Sequence, residues 1–173
     1  VIGEGACTFV LEEREHALSR GANILAELVG FATNSDGRHV TQPNAATMAR
    51  CMALALEDAG LAADDIGYVN AHGTATDHGD VAETQATQEI FGARIPISSL
   101  KSYMGHTLGA CGALEAWMTI EMMRTGWFAP TLQLTPETID PRCGKLDYLT
   151  GAGRELQTDL VMTNNFAFGG INT

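Results

Sequence analysis

The chain has 173 residues, of which 45% are hydrophobic and 18% charged, and its formal net charge is -11 at pH 7. This is the composition of a folded globular protein, and the length suits either one domain or half of a larger enzyme. The negative charge repels phosphate backbones and anionic lipid, which argues against nucleic acid or a membrane surface as a partner.

Targeting and redox signals point to a cytoplasmic protein. No apolar run reaches the roughly 18 residues of a membrane-spanning helix. Residues 1–5 lack the basic and apolar regions of a signal peptide. The cysteines are scattered and form no CxxC pair, so we expect reduced thiols.

The first third of the chain predicts strands and one short helix. Residues 9–11 read as a strand, and residues 12–20 as a helix closed by Gly21. Residues 24–31 read as a second strand, followed by a polar loop over residues 33–43.

The middle of the chain alternates helices with short apolar strands. Asn44 is a good N-cap for a helix that Gly60 closes. The apolar face of that helix consists of Met48, Cys51, Met52 and Ala55. Residues 66–69 form the next predicted strand, and Asp80 with Glu83 matches a D-x-x-E capping box that opens a helix through Ile90.

The last third continues the same alternation. Residues 95–100 and 160–163 read as strands, and residues 112–124 as an apolar helix that Gly126 stops. Alternating strands and helices predict an α/β architecture, and the continuous apolar strands indicate a sheet covered on both faces. Both ends look cut, so we expect a fragment of a larger protein.

Three polar, glycine-rich segments each follow a predicted strand, where α/β sheets place ligand-binding groups. They span residues 70–77, 101–107 and 164–170. Two of them carry a histidine beside a glycine, His72 and His106, which could donate hydrogen bonds or exchange protons near neutral pH. One such histidine alone is more often structural. Two in comparable loops favour a site, and we expect their rings to converge on one cavity.

Metal binding is the rival explanation for a histidine pair. Zinc sites draw on closely spaced ligands or a helical H-x-x-x-H pattern, and neither His72 nor His106 has such a partner. His78 follows His72 across a Gly-Thr-rich turn, so we do not expect joint coordination.

The strings VNAHGTATDHGD, SSLKSYMGHTLGACGALEA and NNFAFGGIN, in this order and separation, resemble the C-terminal motifs of the β-ketoacyl-acyl carrier protein synthases. GEGACTFVLEE and SDGRHVTQP also resemble segments of that family, so the resemblance covers essentially the whole chain. It implies that residues 1–173 are the C-terminal half of a thiolase-like fold with αβαβα layers. The nucleophilic cysteine would lie in an absent N-terminal half.

The resemblance implies a decarboxylative Claisen condensation of an acyl thioester with malonyl-acyl carrier protein, in fatty acid or polyketide-type elongation. His72 and His106 match the two catalytic histidines that stabilise the enolate. Lys101 matches the lysine of the second motif and Glu115 the glutamate of the next helix. A buried ammonium needs a charge partner, so we expect Lys101 beside Glu115 as an electrostatic organiser.

Further residues are carried over from the family. Phe168 matches a gating phenylalanine whose backbone N–H completes an oxyanion hole, and Asp80 is grouped with Glu115 as a supporting residue. The substrate-binding residues are Thr74, Thr76, Phe166, Asp36 and His39. Thr74 and Thr76 match threonines that bind the pantetheine arm, while Asp36 and His39 match a mobile loop opposite the gate. A monovalent cation is expected at Asn70, Glu115 and Asn164.

The sequence departs from the family in two places. No cysteine has the context of the nucleophile; Cys111 stands where many members have alanine, and we interpret Cys111 and Cys7 as small core residues. Residues 165–168 also differ from the family, in which serine and glycine are commoner at two of these positions. We therefore expect a stiffer gate.

The expected partners are acyl carrier protein, the N-terminal half, and a second subunit in a homodimer or a ketosynthase heterodimer. No cofactor is expected beyond the phosphopantetheine that carries the substrates. Basic residues for an acidic carrier are Arg38, Arg50, Arg94, Lys101 and Arg124. The alternative function is a non-catalytic chain-length-factor-like subunit, although retention of His72, Lys101 and His106 favours the catalytic one. A thiolase or a chalcone-type synthase is a further alternative, for which we would expect a His/Asn or His/Cys pair instead of two histidines.

Overall fold

The computed structural model of the chain describes residues 1–37 and 39–173. Its α-helices there are α1 (Arg14–Ser19), α2 (Ala45–Ala59), α3 (Asp77–Phe91), α4 (Lys101–Met104) and α5 (Cys111–Thr125). Its β-strands are β1 (Asn34–Ser35), β2 (Tyr68–Asn70), β3 (Pro96–Ser98), β4 (Trp127–Phe128), β5 (Asp147–Tyr148), β6 (Arg154–Glu155), β7 (Val161–Thr163), β8 (Phe166–Ala167) and β9 (Ile171–Asn172). Short 3-10 turns lie at Ala63–Asp65, Leu108–Ala110 and Pro136–Thr138.

A four-stranded parallel sheet positions the candidate site. Its order is β5-β3-β2-β7, and each neighbouring pair runs parallel. Asn70 at the end of β2 is level with Ser98 of β3 and with Thr163 of β7. The segments that follow these three strands therefore leave the sheet side by side at its carboxyl edge.

Helices cover both faces of this sheet. Val69 and Ile97 of the sheet belong to a buried cluster with Met52 of α2 and Ala86 of α3. Tyr68, one residue before Val69, faces a second cluster that contains Met122 of α5. Because side chains alternate along a strand, α2 and α3 cover one face and α5 covers the other. The predicted α/β class with a doubly covered sheet is confirmed.

Two smaller sheets complete the described strands. β1, β9 and β8 form an antiparallel sheet, and β4 pairs with β6. The first of these sheets joins the loop after residue 33 to the segment after β7. It therefore brings two of the predicted substrate-binding segments together.

The helix ends follow local sequence signals. The Asn44 side chain accepts a hydrogen bond from the backbone N–H of Thr47, which confirms it as the N-cap of α2. Gly60 ends α2 and Gly126 ends α5, both in the left-handed conformation that glycine adopts most readily. Such signals involve neighbours within one helical turn, which is why they were readable from sequence.

Two predicted strands are wrong. Residues 9–11 and 24–31 contain no strand in the described residues. Their apolar side chains are largely exposed, including those of Val10, Leu11 and Leu28. A strand forms only against a neighbouring strand, and the apolar pattern alone does not supply one.

The predicted capping box at Asp80 and Glu83 is also wrong. Helix α3 begins at Asp77, after Thr76 in the N-cap position, so both acidic residues lie inside the helix. The Glu83 side chain faces the turn that follows β2, where it accepts backbone hydrogen bonds. Glu83 therefore stabilises the turn after β2 and does not cap the helix.

None of the helices in residues 1–37 and 39–173 is long and apolar enough to cross a bilayer.

Candidate active site

His72 and His106 lie next to each other at the carboxyl edge of the parallel sheet. Their ring centroids are 5.3 Å apart and the rings are nearly perpendicular, at 88°. His72 belongs to the segment after β2, and His106 to the segment after β3. The predicted convergence of the two rings is confirmed.

The His72 ring is held by Lys101. The Nζ of Lys101 lies 3.2 Å from Nδ1 of His72, and an ammonium only donates, so Nδ1 is the acceptor. The neutral ring therefore carries its proton on Nε2. Burial, followed by the Lys101 charge, lowers the pKa of His72 to about 3. His72 is thus an uncharged hydrogen-bond donor at neutral pH.

His106 reaches the same protonation state by a different contact. The backbone N–H of Leu108 donates to Nδ1 of His106 at 3.2 Å, which leaves the proton of the neutral ring on Nε2. Leu108 has a φ of 57°, a left-handed conformation that side chains rarely adopt. Burial first, and the Lys101 charge second, lower the pKa of His106. The site thus presents two neutral imidazole N–H donors.

Lys101 and Glu115 form a buried ion pair, as predicted. The side chains of Lys101 and Glu115 are 5% and 0% exposed, and Nζ donates to Oε1 of Glu115. Lys101 begins α4, and Glu115 lies in the first half of α5. Burial raises the pKa of Glu115, and the Lys101 ammonium opposes that shift. A buried ammonium without this carboxylate would be strongly destabilising.

Glu83 supports the backbone at His72, a role that the sequence analysis missed. Its two carboxylate oxygens accept from the backbone N–H groups of His72 at 2.7 Å and Gly73 at 2.8 Å. Glu83 is 2% exposed, and burial raises its pKa to about 7. The available sequence signal was its position between Ala82 and Ala86, on the side of the helix that faces the core.

Asn165 is the second missed residue. It lies on the segment after β7 and contacts the start of α5. Its Nδ2 donates to Oε2 of Glu115 at 3.4 Å, and its Oδ1 accepts from Sγ of Cys111 at 3.0 Å. The sequence analysis singled out its segment as a polar, glycine-rich motif but gave Asn165 itself no role.

Thr74, Thr76 and Asp80 lie together beside His72. The hydroxyl oxygens of Thr74 and Thr76 are 2.9 Å apart, and Thr76 is exposed. Burial raises the pKa of Asp80, while hydrogen bonds from the backbone of Thr76, Ala75 and Thr74 oppose the shift. Asp80 therefore supports the threonine turn, and pantetheine binding by the threonines stays a prediction.

Of the two predicted aromatic site residues, Phe166 packs against a histidine. Its ring centroid lies 6.2 Å from that of His72, edge to face. Phe168 is 72% exposed, and its gating role stays a prediction. The loop with Asp36 lies opposite this segment, because the Asp36 backbone N–H donates to the carbonyl of Gly170 at 2.9 Å.

His39 is on the same loop and is exposed; its Nδ1 accepts from the backbone N–H of Thr41 at 3.2 Å. The neighbouring carbonyl of Val40 accepts from the backbone N–H of Gly169. The loop and the segment that carries Phe168 are therefore in contact, as the resemblance implied. Substrate binding by His39 stays a prediction.

The proposed cation ligands are only partly together. The backbone N–H of Asn164 donates to the carbonyl of Asn70. In the described residues Oδ1 of Asn70 is buried without a hydrogen-bond partner, which fits a cation ligand. The unpartnered atom of Asn164 is Nδ2, a hydrogen-bond donor that does not ligate a cation. The Glu115 carboxylate instead receives hydrogen bonds from Lys101 and Asn165. Of the three expected ligands, Asn70 alone presents an unpartnered oxygen in the described residues, and the cation stays a prediction.

No cysteine has the surroundings of an activated nucleophile. Cys51 and Cys111 are buried, and Cys7 and Cys143 are partly buried. Burial raises the pKa of Cys51, Cys111 and Cys143, which disfavours their thiolates.

The basic residues considered for a carrier-protein surface differ in availability. Lys101 is buried in its ion pair and Arg124 bonds Glu121, whereas Arg50 and Arg94 are exposed. Arg38 lies outside the described residues.

Comparison with known proteins agrees with this geometry. Residues 25–135 match the family model described as beta-ketoacyl synthase, C-terminal domain. The chain is 42% identical to 3-oxoacyl-[acyl-carrier-protein] synthase 2 of Coxiella burnetii, over 99% of this chain and 42% of that protein. The chain therefore spans less than half the length of this relative.

Two solved structures share the fold. A beta-ketoacyl synthase from Burkholderia phymatum STM815 is 68% identical with a TM-score of 0.91, over 93% of this chain and 39% of that one. A type II PKS acyl-carrier protein in complex with its ketosynthase matches at 36% identity and a TM-score of 0.83, over 93% and 40% of the two chains. The predicted thiolase-like fold is confirmed by these neighbours. Because the family model covers most of the chain, this protein belongs to the β-ketoacyl synthase family and carries that family's C-terminal domain.

Proposed function

We propose that this chain supplies the decarboxylating part of a β-ketoacyl synthase active site. The observation that carries the proposal is the pair of neutral imidazoles, His72 and His106, each with its proton on Nε2. Two such N–H groups suit one oxygen that gains negative charge during the reaction. The malonyl thioester carbonyl becomes such an oxygen when carbon dioxide leaves.

The full reaction begins with an acyl group held as a thioester on a cysteine and a malonyl group held as a thioester on phosphopantetheine. Loss of carbon dioxide leaves an enolate whose oxygen accepts from His72 and His106. The enolate carbon then attacks the acyl carbonyl, the new carbon–carbon bond forms, and the bond to the cysteine sulfur breaks. The products are a β-ketoacyl thioester on the carrier, carbon dioxide and the free cysteine thiolate.

The remaining parts of the reaction need more than this chain. The cysteine is proposed to lie in an N-terminal half, because none of the four cysteines here suits the role. The exposed apolar side chains of Val10, Leu11 and Leu28 support a further layer of protein against residues 1–31. A cytoplasmic location stays a prediction from the sequence.

The proposed partner is acyl carrier protein, which the matched type II ketosynthase binds. Thr74 and Thr76 are proposed to bind its pantetheine arm, and their position soon after His72 on the same turn supports this. The assembly is proposed to be a homodimer or a ketosynthase heterodimer. No further cofactor is proposed.

The test is carbon dioxide release from carboxyl-labelled malonyl carrier protein by the full-length protein. His72→Ala and His106→Ala should each slow release roughly 100-fold, because each removes one donor to the enolate oxygen. His78→Ala is the control, since His78 is an exposed histidine on α3. Full activity in both site variants would contradict the proposal.

The second candidate is a non-catalytic subunit like a chain-length factor. The intact contacts among His72, Lys101 and Glu115 speak against it, because a non-catalytic subunit has no need for them. It makes a distinct prediction for the same experiment. His72→Ala would then leave condensation by the heterodimer unchanged.

A further inference from the structure

Asn165 is fixed in place by its backbone. Its N–H donates to the carbonyl of Thr173 at 2.8 Å, and its carbonyl accepts from the N–H of Thr173 at 2.9 Å. Its side chain lies against the first turn of α5, where Gly112 makes room for it. A Cβ at Gly112 would lie 3.2 Å from Asn165 Nδ2, closer than an ordinary contact.

Cys111 determines which way the Asn165 amide faces. The thiol donates to Oδ1 of Asn165 at 3.0 Å, which leaves Nδ2 to donate to Glu115 at 3.4 Å. Burial raises the pKa of Cys111, so the thiol keeps the proton that it donates. With the amide reversed, Nδ2 would face the thiol and a carbonyl oxygen would face the Glu115 carboxylate, which is unfavourable.

The contacts continue from Glu115 to the catalytic ring. The Oε1 atom of Glu115 accepts from Lys101, and Lys101 donates to Nδ1 of His72. Hydrogen bonds therefore link Cys111, Asn165, Glu115, Lys101 and His72. The Asn165 side chain also hydrogen-bonds the His72 ring directly, which opposes the fall in the pKa of His72. Two of these linked residues, Cys111 and Asn165, stand in segments where the sequence departs from its family.

We propose that Asn165 is a positioning residue, oriented by Cys111, which contacts both the Glu115 carboxylate and the His72 ring and thereby directs the Nε2–H of His72 at the substrate oxygen. The proposal rests on the proposed function for the role of that N–H group. It requires Asn165 and Cys111 to act as a unit, because the thiol matters only through the amide that it orients.

The experiment uses the full-length protein and malonyl carrier protein with a labelled carboxyl group. Asn165→Ala should lower kcat for carbon dioxide release about tenfold with KM nearly unchanged, because the ring is misdirected while the binding turn is intact. Cys111→Ala should lower kcat less, about threefold, because the amide loses only its orientation. Cys111→Ser keeps a donor at that position and should restore most of the rate.

The double variant Asn165→Ala/Cys111→Ala tests the unit directly. It should be no slower than Asn165→Ala alone. A rate loss in the double variant equal to the product of the two single losses would overturn the proposal. Cys51→Ala is the matched control, because Cys51 is a buried cysteine on α2, outside the site. It should retain the wild-type kcat, and an equal loss there would show that deleting any buried thiol is enough.

A second measurement does not depend on catalysis. Nitrogen NMR of the His72 ring should show the Nε2-protonated tautomer in the wild type and a mixture of tautomers in Asn165→Ala. An inactive wild type would overturn the proposed function, and the tautomer would still decide the role of Asn165. If the wild type is active but Asn165→Ala shows the wild-type tautomer and the wild-type kcat, this inference alone would be overturned.

Discussion

Lys101 contacts the Glu115 carboxylate and the His72 ring at once, so one ammonium serves both charge balance and catalysis. The ion pair is almost completely buried, so bulk solvent reaches little of either charge. Each group therefore depends on the other for its solvation. By donating to Nδ1 of His72, Lys101 selects the tautomer with the proton on Nε2, which is the tautomer that the proposed function requires.

Replacing Lys101 with methionine should affect stability and activity separately. Lys101→Met should lower the free energy of unfolding by about 3–5 kcal/mol, because it leaves the Glu115 charge buried and unpaired. Lys101→Met/Glu115→Gln should recover much of that stability but not carbon dioxide release, since Nδ1 of His72 still lacks its donor. Urea denaturation and the release assay measure the two effects, with exposed Lys145→Met as the control. Wild-type release by Lys101→Met would contradict the role given to the ammonium.

Glu83 predicts a pH dependence of stability. Burial raises its folded pKa from 4.5 to about 7, so the folded protein holds a proton that the unfolded chain releases above pH 4.5. This contribution is fully present below pH 4.5 and is lost as the pH rises towards about 7. Its full size is about 3 kcal/mol, from 1.36 kcal/mol for each unit of pKa.

The check is urea denaturation between pH 4.5 and 7 for the wild type and Glu83→Gln. The glutamine does not titrate, so the free energy of unfolding should fall less steeply with rising pH in the variant. The slope is compared because the glutamine amide also alters the contacts with His72 and Gly73. Equal slopes would mean that Glu83 keeps an ordinary pKa in the folded protein.

Sequence reasoning selected three residues that the structure brings together but missed two that support them. His72, His106 and Lys101 stand in strings that resemble a known family, and their clustering followed from their positions after strands. Glu83 and Asn165 gave no comparable signal, because each acts on a residue from another element. Helix periodicity locates a buried face but does not identify the group that the face meets.

At the scale of elements, local signals were readable and long-range pairing was not. The ends of α2 and α5 were predicted from Asn44, Gly60 and Gly126, which act within one turn. The strands predicted at residues 9–11 and 24–31 failed because apolar alternation does not specify a partner strand. The central sheet succeeded because its strands pair with one another in the parallel order that alternating helices favour.

The turn between β2 and α3 provides an element-scale prediction. Gly73 has a φ of 38°, and an added Cβ would lie 2.6 Å from Cβ of Ser99. Gly73→Ala should therefore cost about 2–3 kcal/mol of unfolding free energy, from crowding as well as backbone strain, and should slow carbon dioxide release by moving His72.

The matched control for that turn is Gly60→Ala. Gly60 has a similar left-handed conformation, with a φ of 67°, but an added Cβ meets nothing within 4 Å. It should lose only about 1 kcal/mol and keep its activity. The measurements are thermal unfolding and the release assay. Equal losses in the two variants would mean that backbone strain alone accounts for the effect at Gly73.

At the scale of the molecule, the chain holds the two-histidine part of the proposed condensing site, and none of its four described cysteines has the surroundings of an activated nucleophile. A covalent thioester divides the condensation into acyl transfer and bond formation, so both parts are required. The division between halves could be predicted from sequence only through family resemblance. The apolar pattern at residues 9–11 predicted a strand that the described residues do not contain, and these side chains are exposed.

The four cysteines allow a direct test in the full-length protein. Cys7, Cys51, Cys111 and Cys143 are each changed to alanine, and acylation by an acyl thioester is followed by mass spectrometry. Labelling should persist in all four variants, because burial raises the pKa of Cys51, Cys111 and Cys143, and Cys7 lacks the sequence context of the family's nucleophile. Loss of labelling in one folded variant would place the nucleophile inside this chain.

The two hydrogen bonds that Glu83 accepts from the turn after β2 also limit which ligands that turn can bind. Glycine-rich turns often cradle phosphate groups through successive backbone N–H groups. Here the N–H groups of His72 and Gly73 already donate to Glu83, and the carboxylate behind them repels anions when ionised. Despite its glycine-rich composition, the turn is therefore a poor binding site for free phosphate.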